Sequence, residues 1–183
     1  MRALAEETPS PGSLRSPPSP ALRERVSAEP TTADLDARRA ARRYPDRPIV
    51  AVLAVVLRGE QALIVQRAQQ PNAGRWGFPG GVLELGETVA EGAMRELFEE
   101  TGIVAKPAGV LDVHDAITRD AEGRVQFHYL LIAVRGIWES GEGEPADDAA
   151  AVAWITRADI VAGRYPTFPT LLPLLDRAVK PEQ

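Results

Sequence analysis

The chain has 183 residues, of which 44% are apolar and 26% are charged, with a formal net charge of −5 and no cysteine. The absence of cysteine excludes disulfide bonds, zinc–thiolate sites and thiol catalysis, and it favours a cytoplasmic location. No apolar run approaches the roughly eighteen residues of a membrane-spanning helix, so we expect no membrane span. The net negative charge predicts no stable binding to nucleic acid.

The first 47 residues differ in composition from the remainder of the chain. Residues 1–30 are rich in proline and contain little that could form a core, so we predict a disordered tail. Residues 31–44 begin with a capping threonine and early acids and continue into arginines, which favours a short helix from Thr31 to Tyr44, followed by a linker to residue 47. We expect one domain over residues 48–183.

The domain begins with a predicted β-hairpin and a glycine-rich loop. The β-branched run Ile49–Arg58 indicates a strand buried on both faces, and Gln61–Arg67 returns after a Gly-Glu turn. Glycines in the following loop allow a ligand to approach the backbone closely. Its aromatic residues could stack on a substrate base or support the loop from below. The candidate substrate contacts are Arg75, Trp76, Phe78 and Gly81.

Residues 88–101 predict an amphipathic helix. Thr88 and Glu91 match a capping box, and Gly102 stands where a left-handed residue ends a helix. At about 100° per residue the side chains separate into an apolar side and a charged side. The apolar side contains Ala90, Ala93, Met94, Leu97, Phe98 and Thr101, and the charged side contains Glu91, Arg95, Glu96, Glu99 and Glu100.

The charged side of this helix has the composition of a cation site. Glu96, Glu99 and Glu100 have the i, i+3, i+4 spacing that brings Cβ atoms within about 5–6 Å of one another. Hard oxygen ligands of this kind suit Mg²⁺ or Mn²⁺. The alternative is a solvated acidic face stabilised by i, i+4 pairing.

Other residues beside these carboxylates have expected supporting roles. We expect Arg95 to pair with Glu99 one turn further on and Glu87 to hold Arg95 in place. Gly92 is expected to leave a side-chain-free patch with room for a ligand.

The rest of the domain predicts three strands and two helices. Residues 110–118 and 125–134 indicate two strands, each of which contains one histidine, His114 and His128. An acidic loop, a strand at residues 152–156, a helix start at Thr156 and a leucine-rich C-terminal helix follow. In that helix Leu171, Leu174 and Leu175 should face inward. These elements predict an α/β class protein, an α/β/α sandwich around a mixed sheet.

The stretch GVLELGETVAEGAMRELFEETGI, from Gly81 to Ile103, resembles the signature of the Nudix hydrolases at every fixed position. The resemblance implies the Nudix fold and metal-dependent hydrolysis of a diphosphate linked to another group, usually a nucleoside. It implies that the carbonyl of Gly80 joins Glu96, Glu99 and Glu100 as metal ligands, with Arg95 and Glu87 orienting the carboxylates. The catalytic candidates are Glu87, Arg95, Glu99 and Glu100, with Asp147 and Asp148 from the late loop.

The resemblance leaves the late loop and the substrate open. In this family an acidic residue of a late loop often acts as an extra ligand or general base, and Glu142, Glu144, Asp147 and Asp148 are the candidates. The WGFPGG and HYLLIAV stretches resemble the ADP-ribose pyrophosphatase-like branch, which implies ADP-ribose as the substrate. The alternatives are NADH, a nucleoside triphosphate, or a ligand-sensing module without turnover. Family members often form dimers, so a homodimer is one expected arrangement.

Overall fold

The computed structural model describes residue 37, residues 40–70 and residues 72–179. The predicted tail at residues 1–30 lies outside the described residues, as do residues 31–36, 38 and 39 of the predicted helix and linker. Residues 41–44 form turns and bends, so the helix does not extend to Tyr44. None of the helices in the described ranges is long and apolar enough to cross a membrane.

The sheet contains seven strands, of which one pair is parallel. The chain order of the five predicted strands and the mixed hydrogen bonding agree with the sequence prediction, and the later strands are longer than predicted. Two short strands interrupt the glycine-rich loop, which was expected to be irregular. The strands are β1 (Ile49–Arg58), β2 (Gln61–Arg67), β3 (Trp76–Gly77), β4 (Gly80–Val82), β5 (Val104–Arg119), β6 (Val125–Ser140) and β7 (Ala149–Thr156).

The strand order is β3-β2-β1-β6-β5, with β4 also paired to β1 and β7 paired to β2. β1 and β2 pair at the closed end of the predicted hairpin, where Leu57 lies opposite Ala62. β1 then runs parallel to β6, which places β6 between β1 and β5 as its apolar sequence predicted. Because β4 also pairs with β1, the glycine-rich loop is held against the centre of the sheet.

Within residues 40–70 and 72–179, three helices cover the sheet: α1 (Val89–Thr101), α2 (Arg157–Val161) and α3 (Leu171–Ala178). Side chains alternate along β1, so that Val52, Ala54 and Val56 join one buried cluster and Val55 joins the other. The first cluster includes Ala93 and Leu97 of α1. The second includes four apolar residues of α3, among them the three predicted leucines. The predicted α/β/α sandwich around a mixed sheet is therefore confirmed.

Candidate active site

The helix α1 begins and ends where the sequence predicts. The Thr88 hydroxyl accepts a hydrogen bond from the Glu91 amide at 3.2 Å, and the Glu91 carboxylate accepts one from the Thr88 amide at 2.8 Å. Gly102 has a left-handed φ of 66°, and its amide donates to the Phe98 carbonyl at 2.8 Å. These caps determine which residues form α1, and hence where its carboxylates lie along the helix axis.

The packing of α1 differs from its helical wheel at two positions. Phe98, expected on the packed side, is 57% exposed, so that prediction was wrong. Glu100, expected on the charged side, is only 6% exposed. The reason is the close approach of β4, since the Gly80 amide donates a hydrogen bond to Glu100 Oε2 at 3.0 Å. This buried hydrogen bond joins the glycine-rich loop to the carboxylate cluster.

Two glycines permit the close approach of β4 to β1 and to α1. A Cβ atom on Gly80 would overlap the Val52 carbonyl oxygen, and one on Gly81 would overlap the Glu96 carboxylate. The structure thus places Gly81, a predicted substrate contact, directly against Glu96. The predicted metal-binding role of the Gly80 carbonyl stays a prediction, because the described contact of Gly80 with the cluster is made by its amide.

Arg95 connects three glutamates. Its Nη1 donates to Glu96 Oε1 and to Glu99 Oε2, each at 2.9 Å. Its Nε and Nη2 bind the two carboxylate oxygens of Glu87 at 3.0 and 2.8 Å, a two-pronged geometry that fixes the guanidinium plane. Both contacts expected for Arg95 are therefore present, and the contact with Glu96 is an addition.

Gly92 does not leave room for a ligand, contrary to the expectation from the sequence. A Cβ atom at this position would lie 2.8 Å from Glu87 Oε1 and 2.8 Å from Leu83 Cδ1. The space is therefore filled by the side chains that precede the helix. Gly92 lets Glu87 reach Arg95.

Burial changes the charge balance of the cluster. Desolvation raises the pKa of Glu96, against the opposing effect of its hydrogen bond from Arg95. Desolvation also raises the pKa of Glu100 to about 8, and the hydrogen bond from the Gly80 amide only partly offsets it. By contrast, the hydrogen bonds from Arg95 lower the pKa of Glu87. Glu96 and Glu100 are thus carboxylates whose ionised form would gain from an added cation.

The late acidic loop, residues 141–148 between β6 and β7, passes the C-terminal end of α1. The amides of Glu144 and Ala146 donate to the carbonyls of Thr101 and Glu100, at 2.9 and 3.0 Å. The negative charge of Asp147 contributes to the raised pKa of Glu96, and that of Asp148 to the raised pKa of Glu100. The loop therefore brings its last two acids to the cluster.

Glu142 and Glu144 are placed differently from these two aspartates. Glu142 binds Arg58 through its Oε2 at 2.9 Å, and the Glu144 side chain is exposed. The four late-loop candidates therefore fall into three groups. The charges of Asp147 and Asp148 act on the carboxylates of α1, Glu142 binds Arg58, and the Glu144 side chain is exposed. Sequence reasoning had no means to separate them, because all four stand in one acidic run.

Arg67 is a charged neighbour of the site that the sequence analysis did not select. Its positive charge opposes the raised pKa of Glu100. Arg67 is the last residue of β2, and its amide binds the Arg75 carbonyl at 2.9 Å. A single arginine at a strand end has no distinguishing spacing, so only the tertiary structure identifies it.

The aromatic residues of the glycine-rich loop contact the protein interior. Phe78 is 7% exposed and belongs to the cluster beneath α3. Trp76 packs against the same cluster and meets Tyr165 edge to face, with 5.1 Å between ring centroids. Arg75 lies over the Phe168 ring at 5.6 Å. These contacts describe support of the loop, and a substrate contact by Arg75, Trp76 or Phe78 stays a prediction.

A small cleft, with room for about one water molecule, lies between β5, β6 and α3. The Leu53 side chain lines this cleft and also lies 3.0 Å from the position of a Cβ atom on Gly80. The lining residues are Leu53, Asp112, His114, Leu131, Ala133, Thr170 and Leu174.

The donor set of the cluster fits a hard divalent cation. It consists of carboxylate oxygens, and Arg95 Nη1 already draws oxygens of Glu96 and Glu99 to within 2.9 Å of one atom. Among residues 40–70 and 72–179, no three carboxylate or imidazole groups are arranged as a complete metal cage. The carboxylates of the cluster are thus suitable ligands for such a cation, and in this structure Glu96 and Glu99 bind the guanidinium of Arg95.

The chain is similar to known proteins in both sequence and structure. Residues 47–175 match the family model described as the NUDIX domain, which is more than half of the chain. An ADP-ribose pyrophosphatase of Methanocaldococcus jannaschii is 36% identical over 102 residues, 56% of this chain and 58% of that protein. The chain thus spans little more than half the length of this curated relative.

Two further matches cover larger shares of the matched proteins. A putative 8-oxo-dGTP diphosphatase 2 of Mycobacterium tuberculosis is 34% identical over 114 residues, 61% of this chain and 75% of that protein. The crystal structure of a MutT NUDIX hydrolase from Burkholderia pseudomallei aligns with a TM-score of 0.63 and 28% identity. That alignment covers 73% of this chain and 100% of the solved chain.

Proposed function

The chain belongs to the NUDIX domain family, and from this premise we propose that it is a pyrophosphohydrolase, with its active site at the carboxylates of α1. One observation supports the proposal above the others: Glu100 is buried against the Gly80 amide, beside a Glu96 and Glu99 pair that shares Arg95. A purely structural acidic face would remain solvated. Here two of the three carboxylates are instead withdrawn from water at a thermodynamic cost.

We assign the metal to Glu96, Glu99 and Glu100, with the Gly80 carbonyl as a further ligand. A bound Mg²⁺ or Mn²⁺ would neutralise diphosphate charge and lower the pKa of the attacking water. Arg95 and Glu87 act as positioning residues, because the two-pronged bond between them sets the guanidinium that holds Glu96 and Glu99. Because Gly81 has no side chain, the Glu96 carboxylate lies directly against β4.

For the general base we propose Asp147 or Asp148. Both act electrostatically on the cluster, whereas Glu142 is bound to Arg58. Asp147 also has a φ of 48°, an uncommon conformation for a residue other than glycine. Such strain persists only where the surroundings impose it, and it is concentrated at functional sites.

ADP-ribose is the first proposed substrate. Hydrolysis would break one P–O–P bond with one water and yield AMP and ribose 5-phosphate. The proposal rests on the resemblance of the WGFPGG and HYLLIAV stretches and on the identity to an ADP-ribose pyrophosphatase.

A nucleoside triphosphate, cleaved to monophosphate and pyrophosphate, is the second candidate. The 34% identity to a putative 8-oxo-dGTP diphosphatase favours it. The carboxylate cluster serves either substrate, because in both reactions water attacks one phosphorus of an anionic P–O–P linkage, that bond breaks, and the other phosphate group leaves. NADH remains a third substrate to be tested alongside these two.

The test is a substrate panel in Mg²⁺ or Mn²⁺ with two coupled readouts. Alkaline phosphatase releases phosphate from the products of ADP-ribose and NADH but not from these substrates, and inorganic pyrophosphatase reports triphosphate cleavage. We expect turnover that requires the metal and is abolished by EDTA. The matched control is Glu60→Gln, a glutamate in the β1–β2 turn, which should retain activity.

Two outcomes would contradict parts of the proposal. Preference for 8-oxo-dGTP over ADP-ribose would retain the mechanism and replace the substrate. Tight binding of a nucleotide without turnover, in the presence of either metal, would indicate the ligand-sensing module and overturn the proposed activity.

A further inference from the structure

A cluster of aromatic and charged side chains stands where three strands end. Arg58 is the last residue of β1, and its Cζ lies 4.3 Å from the Trp154 ring centroid and 5.7 Å from that of Trp138. Its Nη1 also donates to Glu142 Oε2 at 2.9 Å. We name Arg58, Trp138, Trp154 and Glu142 the Arg58 clamp. None of these residues belongs to the signature stretch.

The three strand residues of the clamp bind the first residues of the late acidic loop. Trp138 Nε1 donates to the Gly141 carbonyl and Trp154 Nε1 donates to the Glu142 carbonyl, each at 2.9 Å. Arg58 holds the Glu142 side chain and contacts the faces of both rings, where a cation is attracted by the ring quadrupole. Two consecutive loop carbonyls and one loop side chain are therefore held by three strands of the sheet.

The loop leaves the clamp along a tightly packed path. A Cβ atom on Gly143 would lie 2.9 Å from Val152 Cγ1, so the backbone there has no room for a side chain. The Glu144 and Ala146 amides then bind the last carbonyls of α1. The strained backbone of Asp147 follows, and the Ala68 amide binds the Asp148 carbonyl at 3.0 Å. The strained residue is thus anchored on both sides.

We infer that Arg58 is a positioning residue for the hydrolysis proposed above. It holds the indoles and Glu142 together, so that the loop enters the site with Asp147 and Asp148 beside Glu96 and Glu100. This inference rests on the proposed function for its catalytic part. The anchoring of the loop by Arg58 is a separate structural statement that can be measured without substrate.

The first measurement is amide hydrogen exchange over residues 141–148 in Arg58→Met, which keeps the length of the side chain and removes its charge. We expect faster exchange at the Glu144 and Ala146 amides, with the paired strands β1 and β6 unchanged. Arg157→Met is the matched control, since Arg157 makes an ion pair with Asp176 at 2.6 Å on another part of the protein. Exchange in the control should match the wild-type chain in this loop.

The second measurement is a kinetic cycle. We expect Arg58→Met to lower kcat about tenfold with little change in KM, and Arg58→Lys to restore part of the loss. In a background that already contains Asp147→Asn and Asp148→Asn, Arg58→Met should cause no further loss, because it acts through those carboxylates. Trp154→Phe, which keeps a ring and removes the bond to the Glu142 carbonyl, should reproduce the effect of Arg58→Met if the latter folds poorly.

Unchanged loop exchange in both Arg58→Met and Trp154→Phe would overturn the anchoring. An equal loss of kcat with and without the loop aspartates would show a general structural effect and overturn the positioning role. A wild-type chain that turns over no substrate would overturn the proposed function, and with it the catalytic part of the inference. The exchange measurement would still decide whether Arg58 holds the loop.

Discussion

The helices α1 and α3 pack on opposite faces of one sheet, but they bury different chemistry. α3 buries only apolar side chains, which are Leu171, Leu174, Leu175 and Ala178. α1 buries Ala93 and Leu97 together with Glu100, whose pKa burial raises to about 8. The α3 face therefore contributes stability through apolar area, whereas the α1 face retains an acid whose ionised form opposes folding. The comparison indicates that stability and the proposed chemistry are assigned to different faces of the sheet.

The largest expected effect lies on the α3 face. Leu175→Ala removes a fully buried side chain and should lower the free energy of unfolding by about 2–5 kcal/mol. The activity of the folded fraction should stay close to the wild-type value, because Leu175 does not line the cleft or contact the carboxylates. Urea unfolding and kcat at low temperature measure the two effects. A large loss of kcat in the folded protein would show that the faces are not separate.

Glu100→Gln should have the opposite profile. The amide is nearly isosteric but is a poor ligand for Mg²⁺, so we expect kcat to fall by on the order of 10²–10³. The metal-free variant should be at least as stable as the wild-type protein near pH 8, where it no longer buries a carboxylate. Glu60→Gln is the control for both assays. Unchanged turnover in Glu100→Gln would refute the assignment of the metal site.

A smaller effect is expected from Arg95→Lys, which keeps the charge and removes the two-pronged bond to Glu87. The lysine cannot hold Glu87, Glu96 and Glu99 in one plane, so turnover should fall about 10–100-fold. The apparent affinity for Mn²⁺, measured by titration, should fall in parallel. If the affinity stays constant while kcat falls, Arg95 touches the substrate and is not a positioning residue.

The stability of the metal-free protein should also depend on pH. The pKa of Glu100, about 8, lies above the ordinary value of 4.5, so the native state holds this proton more tightly than the unfolded state. This contribution to the free energy of unfolding is fully present below about pH 4.5 and is lost as the pH rises to about 8. The slope is up to about 1.4 kcal/mol per pH unit. Glu96 shifts in the same direction.

Urea unfolding in EDTA between pH 5 and pH 8.5 measures this slope. Glu100→Gln lacks the titrating group, so its profile should be flatter than that of the wild-type protein. Identical profiles for the two proteins would indicate that Glu100 is ionised throughout this range. Restoration of wild-type stability by Mn²⁺ at pH 8, and not in the variant, would connect the slope to metal binding.

Local patterns in the sequence predicted much of this structure. Thr88, Glu91 and Gly102 identified the ends of α1, because capping depends on hydrogen bonds between residues that are close in the chain. The β-branched run of β1 and the leucines of α3 identified buried elements through apolar periodicity. The pairing of Arg95 with Glu87 and Glu99 was also predictable, since both glutamates lie within eight positions of Arg95.

Other features depended on contacts between distant parts of the chain. The wheel placed Phe98 inward and Glu100 outward, and the structure reverses both. A helical wheel gives the relative angles of side chains but not the rotation of the helix against the sheet, which β4 sets through Gly80. Gly92 was expected to leave space, but Glu87 fills it from outside the helix.

The sequence by itself determined five of the strands, the caps of α1 and the set of carboxylates on α1, because each depends on residues a few positions apart. The tertiary structure alone decided which carboxylate is buried, which late-loop acids reach the cluster and how Arg58 anchors their loop. Those three results come from contacts between residues that are 20 to 84 positions apart in the chain. Burial and charge at the site depend on the approach of strands from elsewhere in the fold, which no local spacing records.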